Sequence, residues 1–202
     1  MLTAMAGSKT AETTGQPQAP VRRERQLVER FIRGDESAFD EIVSAYQGRV
    51  ADLAHRLLGW PGDVEDVVQE VFLAVFRNLG KFRGESSLNT WLTTITVNKC
   101  RSWRRKHLLK LKLLKYTGSK KPPAHPRVDQ DVMNRETLDR VRRTLQSLPG
   151  PYREVIVLHY LQEMPIGEMA DVLNLKRNAV DVRLSRARAQ LKNELADLIE
   201  EK

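Results

Sequence analysis

Apolar positions along this chain recur every three to four residues, and no stretch alternates convincingly with period two. That pattern predicts helices and no sheet. The first helix begins near Arg22 and carries Leu27, Val28, Phe31 and Ile32, and Gly34–Asp35 breaks it. Ser37 with Asp40 forms a capping-box pattern. Phe39, Ile42, Val43, Tyr46, Val50, Leu53, Ala54, Leu57 and Leu58 then trace one long amphipathic helix. Gly59-Trp60-Pro61-Gly62 reads as a turn. Asp63 is placed to cap the next helix, whose apolar side runs from Val64 and Val67 to Val75 and Phe76. Gly80 is placed to end it in a left-handed conformation.

The next unit, KFRGESSLNTWLTTITVNKCRSWRRK (Lys81–Lys106), has the densest chemistry. A basic loop precedes a helix that either Ser86 or Ser87 can cap. Leu88, Trp91, Leu92 and Ile95 fall at i, i+3, i+4 and i+7, one apolar face. Four threonines lie among the seven residues from Thr90 to Thr96, although threonine is a mediocre helix former. Off the apolar face, with Trp91, Trp103, Asn98 and the terminal cations, they suit single-stranded nucleic acid: rings stack on bases, amides read base edges, cations hold phosphates. A structural helix with two core tryptophans and a solvated basic end accounts for the same residues.

Leucines and lysines alternate over Leu108–Leu114, and Gly118, Pro122, Pro123 and Pro126 then predict a basic linker. Helices resume over Met133–Leu148, with Leu138, Val141, Leu145 and Leu148 inside, then Tyr152–Gln162, Pro165–Leu173 and Asn178–Ile199. The last two have helix-turn-helix spacing. Small Ala170 stands at the helix crossing, Asn174 at the sharp turn where a positive φ is tolerated, and Leu175 plugs the core. The expected class is therefore all-α: two helical domains joined by a flexible linker, the C-terminal one containing the helix-turn-helix. Its divisions are a disordered tail 1–21, a bundle 22–107, a basic linker 108–131 and a second helical domain 132–202.

Charge sharpens this picture. The net charge is +8, which favours a polyanionic partner. Acids dominate from Asp35 to Glu70, whereas Glu85 is the only acid from Lys81 to Lys121, so the chain offers two faces to two different partners. Cys100 is alone, which fits a reducing, cytoplasmic compartment, and no apolar run is long enough to span a bilayer. The first twenty residues lack the apolar core of a signal peptide.

GDESAFDEIVSAY, DVEDVVQEVFLAVFRNLGKFRGESSLNTWLTTITVNKCRSWRRK and LPGPYREVIVLHYLQEMPIGEMADVLNLKRNAVDVRLSRARAQL, in that order, resemble the bacterial RNA polymerase sigma factors of the extracytoplasmic-function (ECF) type. The resemblance implies a non-enzymatic role: directing core RNA polymerase to promoters and supporting melting of the −10 element, with no cofactor and no metal. It implies that 22–107 is sigma region 2 and 132–202 sigma region 4. Asp63, Asp66, Gln69 and Glu70 match the helix that docks on core polymerase. Lys81, Phe82, Arg83, Ser86, Ser87 and Asn98 match the elements that capture a flipped −10 base, and Lys99, Arg101, Arg104 and Arg105 the backbone-binding end. Lys176, Arg177, Asn178, Asp181, Val182, Ser185 and Arg186 line the reader of duplex −35 DNA. Asp181 stands where the family usually has Lys or Arg, and Val182 where a small polar residue is common, so the −35 preference is expected to differ. Many members also bind an anti-sigma factor, for which the sequence shows no dedicated feature.

Other functions fit less of the chain. A standalone helix-turn-helix regulator of duplex DNA explains the C-terminal half but neither the acidic helix nor the basic unit. A nuclease or helicase fragment lacks a phosphate-binding glycine loop, an HExxH motif or a nucleophile beside a base, and the four histidines are scattered. Leu108–Lys115 alone supports a lipid-surface role.

Overall fold

The computed structural model describes residues 18–59, 61–116 and 132–196, with the side chains of 18–21, 61–63, 114–116 and 132–137 left aside. The expected tail over 1–17, the linker over 117–131, Trp60 and the chain end from 197 lie outside the described residues. Among the described residues every regular element is a helix. They are α1 (Gln18–Ile32), α2 (Ser37–Leu58), α3 (Pro61–Asn78), α4 (Leu88–Tyr116), α5 (Val132–Ser147), α6 (Gly150–Ile156), α7 (Ile166–Leu173) and α8 (Arg177–Glu194). A 3-10 turn, Leu79–Lys81, follows α3, and α6 runs on into a wider π-type turn, Val157–Leu161.

The apolar spacing does the folding. Ala38, Ile42, Tyr46, Val50, Leu53, Leu57 and Leu58 line the buried face of α2, and Val67, Val71, Phe72 and Val75 that of α3. Both pack on α4, and α1 lies across α2. Each fully buried Leu, Ile or Val contributes on the order of 2 kcal/mol through removal of apolar surface from water. Phe76 meets Phe31 and Phe39 edge-on, and those two are tilted to each other, with centroids 5.1–5.9 Å apart, although Phe76 is 42% exposed.

Several local expectations hold and several change. Gly59 caps α2 at φ +77°, its N–H on the His55 carbonyl at 2.8 Å. The α2 entrance is capped by Asp35 rather than by a Ser37–Asp40 box: Asp35 Oδ1 accepts both the Ser37 amide, at 3.1 Å, and its hydroxyl. The α3 helix begins at Pro61, so Asp63 stands inside its first turn, not at the cap. Gly80 has no left-handed conformation; α3 closes through the 3-10 turn, with Asn78 Nδ2 donating to the Ala74 carbonyl at 2.8 Å. Leu138, expected inside, is 53% exposed, and Ile32 of α1 58%. The α4 helix continues to Tyr116, through the leucine–lysine stretch 108–116.

The two halves touch. The first helix of the helix-turn-helix, α7, packs on α4, and α6 with its π-type turn reaches α2. Arg153, only 3% exposed, ties the halves together. Its Nη1 donates to the Leu57 carbonyl at the end of α2 at 2.9 Å, and its other N–H groups serve the carbonyls of Leu145, Gln146 and Leu148. Burial pushes its pKa down to about 10, with nearby Arg104 adding to the effect, and the guanidinium remains charged at neutral pH. Arg56 Nη1 also donates to the Leu161 carbonyl at 2.8 Å, and Gln146 Nε2 to the Arg56 carbonyl at 3.2 Å.

Candidate nucleic-acid interface

The α4 helix starts where Ser87 Oγ accepts the Thr90 amide at 3.1 Å, which selects Ser87 over Ser86 as its cap. Glu24 of α1 adds a second cap from outside, its Oε2 accepting the Leu88 amide at 3.0 Å. The loop before it, from Lys81 to Ser86, is exposed at Lys81, Arg83, Glu85 and Ser86. It bends at Gly84, whose φ is +70°. Phe82 turns inward onto Trp91, with ring centroids 5.2 Å apart. Trp103 stacks on His107 at 4.8 Å, an 18° tilt.

The threonines are not an exposed ladder. Thr90, Thr93 and Thr96 are buried. Thr94 and Thr96 return their hydroxyls to the carbonyls four residues back, Thr90 at 3.0 Å and Leu92 at 2.8 Å. With α2, α3 and α7 all packed on α4, the side away from Leu88, Leu92 and Ile95 is interior too; back-bonding satisfies the Thr94 and Thr96 hydroxyls, and that of Thr90 meets Ser87 Oγ at 2.8 Å and Glu168 Oε2 at 3.2 Å. The threonines are therefore structural. Cys100 is buried as well, and burial with Glu154 nearby pushes its thiol up to about 12, so it stays protonated.

What α4 leaves open is its far side. Asn98 and Arg105 are exposed, and Lys99, Arg101 and Arg104 partly so. An open groove of about 390 Å³ runs between α3 and α4, lined by Glu70, Ile95, Asn98, Lys99, Ser102 and Lys106. That falls within the range of about 300–1,000 Å³ typical of sites for small organic groups. No residue of the loop from Lys81 to Ser87 lines this groove. Lys99 Nζ stands 3.2 Å from Glu70 Oε2, which links a residue expected to face polymerase with one expected to face DNA. Asp66, Gln69 and Glu70 are all exposed on one side of α3; the Asp63 side chain lies outside the described residues.

In the C-terminal half, Asn174 takes φ +54° and ends α7, and Leu175 N–H returns to the Ala170 carbonyl at 2.8 Å. Ala170 is buried and Leu175 partly so. The turn is the one its residues predict. Val180, Leu184 and Ala187 hold α8 down. That leaves Lys176, Arg177, Asn178, Asp181, Val182, Ser185 and Arg186 exposed together on its outer side. Arg188 lies over the Tyr160 ring at 5.8 Å from the π-type turn.

Sequence reasoning passed over Glu154 and Glu168. Glu154 accepts two hydrogen bonds from Arg101, and Glu168 one from Thr90 at 3.2 Å. A signal was available: Arg153-Glu154 interrupts an otherwise apolar run, where charges are buried only when paired. Among the described residues no cluster of His, Cys, Asp or Glu could hold a metal ion, and no helix is long and apolar enough to cross a membrane.

Known protein families match this chain in both halves. Residues 42–108 match the family model described as Sigma-70 region 2, and residues 138–191 that described as Sigma-70, region 4. The chain is 34% identical over 183 residues to the ECF RNA polymerase sigma-E factor of Escherichia coli (strain K12), covering 86% of this chain and 94% of that protein. It is 27% identical over 185 residues to the ECF RNA polymerase sigma factor SigW of Bacillus subtilis (strain 168), covering 86% and 97%. Among solved structures, CnrH in complex with the cytosolic domain of CnrY matches with a TM-score of 0.64 and 31% identity over 87% of this chain and 98% of that one. The sigma factor RpoE of Bartonella quintana, solved with the anti-sigma factor NepR, shares the fold with a TM-score of 0.63 at 22% identity, over 78% of this chain and 96% of that one.

Proposed function

The chain belongs to the ECF sigma factors of bacterial RNA polymerase, and from that premise we propose how its residues divide the work. The protein directs core RNA polymerase to specific promoters and supports opening of the −10 element. Polymerase forms the bonds; the sigma factor supplies recognition, and we place it with polymerase in the cytoplasm. Residues 22–107 act as region 2 and 132–202 as region 4, with Asp63, Asp66, Gln69 and Glu70 docking on core polymerase. Asn98, with the Lys81–Ser87 loop, captures an unpaired −10 base. Lys99, Arg101, Arg104 and Arg105 hold its backbone. Lys176, Arg177, Asn178, Asp181, Val182, Ser185 and Arg186 read the −35 duplex.

The observation that supports this division is the pairing of an exposed face, Lys176 and six residues of α8, with an open groove at Asn98, one suited to a duplex and the other to an unpaired nucleotide. An amide at the groove offers a donor and an acceptor to a base edge. The likeness to CnrH, solved bound to the cytosolic domain of CnrY, supports an anti-sigma partner for this chain as well. Transcription from genomic fragments by core polymerase, with and without the protein, tests the reading. Initiation at defined start sites only when both are present supports it, and binding of duplex DNA with equal selectivity in the absence of polymerase supports the standalone regulator instead.

A further inference from the structure

The closed arrangement of the two halves has a cost for promoter binding. Positions −35 and −10 lie about 25 base pairs apart, which at 3.4 Å per pair is about 85 Å of duplex. Here α7 packs directly on α4. Packed helices stand about 8–10 Å apart, which puts α8 within about 20 Å of α4. The two readers cannot occupy both promoter elements in this arrangement, so the contacts that hold them together must break first.

One of those contacts falls on the DNA-binding end itself. Arg101 Nε donates to Glu154 Oε1 at 2.9 Å and Nη2 to Oε2 at 2.7 Å, a two-bond fork. The Glu154 side chain is 8% exposed and that of Arg101 31%. A planar guanidinium donates to a carboxylate and to a phosphate with the same two-bond geometry. Beside it, Arg104 Nη1 stands 3.1 Å from where a Cβ on Gly150 would lie, so α6 begins against a second cation of the same set. Farther up α4, Thr90 is tied to Glu168 of α7. From the other side, Arg153 and Arg56 bind carbonyls across the same boundary.

We propose that Glu154 is an intramolecular substitute for a DNA phosphate: it occupies Arg101 in the free protein and holds region 4 against α4 until polymerase separates the halves. This rests on the sigma-factor reading above. The closed protein has one phosphate-binding fork engaged internally and cannot span a promoter. Docking on polymerase returns Arg101 to the DNA and leaves Glu154 to water.

Two experiments on the full chain test this. In the first, the fluorescence anisotropy of a labelled single-stranded DNA oligonucleotide is titrated with wild type and with Glu154→Gln, without polymerase. The proposal expects binding about three- to tenfold tighter for the variant. It also expects a steeper salt dependence, by about the 0.7 that one additional phosphate contact on a single strand adds to the slope. Equal affinity and equal slope for variant and wild type overturn it. In the second, Arg56→Cys with Leu161→Cys, a half-buried and an exposed position that meet across the boundary, is bridged by a short cleavable dithiol-reactive reagent, Cys100 being buried and protonated. The bridged protein is expected to lose transcription with core polymerase and to regain it on cleavage. Initiation by the bridged protein at the unbridged rate overturns the proposal even if Glu154→Gln fails to fold. Failure of wild type to initiate with core polymerase counts against the sigma-factor reading instead, since the oligonucleotide titration does not involve polymerase.

Discussion

Glu24 and Leu88, 64 residues apart in sequence, meet across the start of α4: Glu24 Oε2 accepts the Leu88 amide at 3.0 Å. The other oxygen of the same carboxylate accepts the Tyr46 hydroxyl from α2. One side chain of α1 thus satisfies a free helix N–H and a part-buried phenol at once, and holds three helices of the N-terminal bundle in register. Burial first, then this hydrogen bond, raises the Tyr46 pKa, so the phenol stays protonated as the donor.

Replacing Glu24 by Ala is expected to destabilise the protein by about 1–3 kcal/mol, from a lost cap and an unpaired hydroxyl. Urea unfolding followed by circular dichroism reads this as a lower midpoint at an unchanged slope. Tyr46→Phe in the same background should recover part of the loss, because it removes the unpaired hydroxyl. An unaltered midpoint for Glu24→Ala would show that the double contact carries no stability.

Asp66→Lys is expected to weaken co-purification with core polymerase while leaving the unfolding midpoint within about 0.5 kcal/mol of wild type, as exposed changes usually do. Glu70→Lys should do the same and more, because it places two ammonium groups together where Glu70 now meets Lys99 at 3.2 Å. Core binding retained by both reversals would remove α3 from the docking surface.

Asn98→Ala and Asp181→Ala should fail in different ways, since one faces the groove on α4 and the other the outer side of α8. Asn98→Ala is expected to reduce transcription even on a template with a premelted −10 bubble, by an amount that depends on the base offered. Asp181→Ala should ignore that base and relax preference at one −35 position, with a change of about 1–3 kcal/mol. Full rescue of Asn98→Ala by the bubble would assign it to strand opening rather than base capture.

Asp35 makes a pH-dependent contribution. The Ser37 hydroxyl first, and Arg30 second, hold its carboxyl below the usual value of 3.8. A depressed carboxyl pKa stabilises the fold above the unfolded value, and that stability is lost as pH falls through the lower folded one. The difference in unfolding midpoint between wild type and Asp35→Asn should therefore be full at pH 5 and above, and shrink as the pH is taken below about 3.8. A difference that does not change between neutral and strongly acidic pH would show that the contact does not depend on the ionised carboxyl.

Features set by neighbours in sequence were legible. Ala170, Asn174 and Leu175 sit at the crossing, turn and plug that their residue types require, because an αL turn and a small-residue crossing are local demands. Ser87 was one of two caps the spacing allowed. Pairings between distant segments were not legible. Periodicity shows that a helix has a buried face but not how many neighbours it will meet. The sequence therefore leaves Thr90, Thr93 and Thr96 open between a working face and a structural helix, and the packing of α2, α3 and α7 on α4, which buries all three, decides for the second. Leu138 shows the opposite case: its spacing fits a core position, yet among the described residues it is 53% exposed. Glu154 and Glu168 went unnoticed because their partners are 53 and 78 residues away.

The unbroken course of α4 from Leu88 to Tyr116 makes it a mechanical lever. At 1.5 Å per residue its 29 residues form a rod about 44 Å long. Its fulcrum is the Ser87–Glu24 double cap, and its far end is the point from which the chain leaves toward region 4. A tilt of about 10° at the fulcrum carries that far end through about 8 Å, more than one helical pitch. A small change of angle at the start of α4 thus becomes a large displacement at Tyr116, and a force applied at Tyr116 acts on the start of the helix with the same leverage.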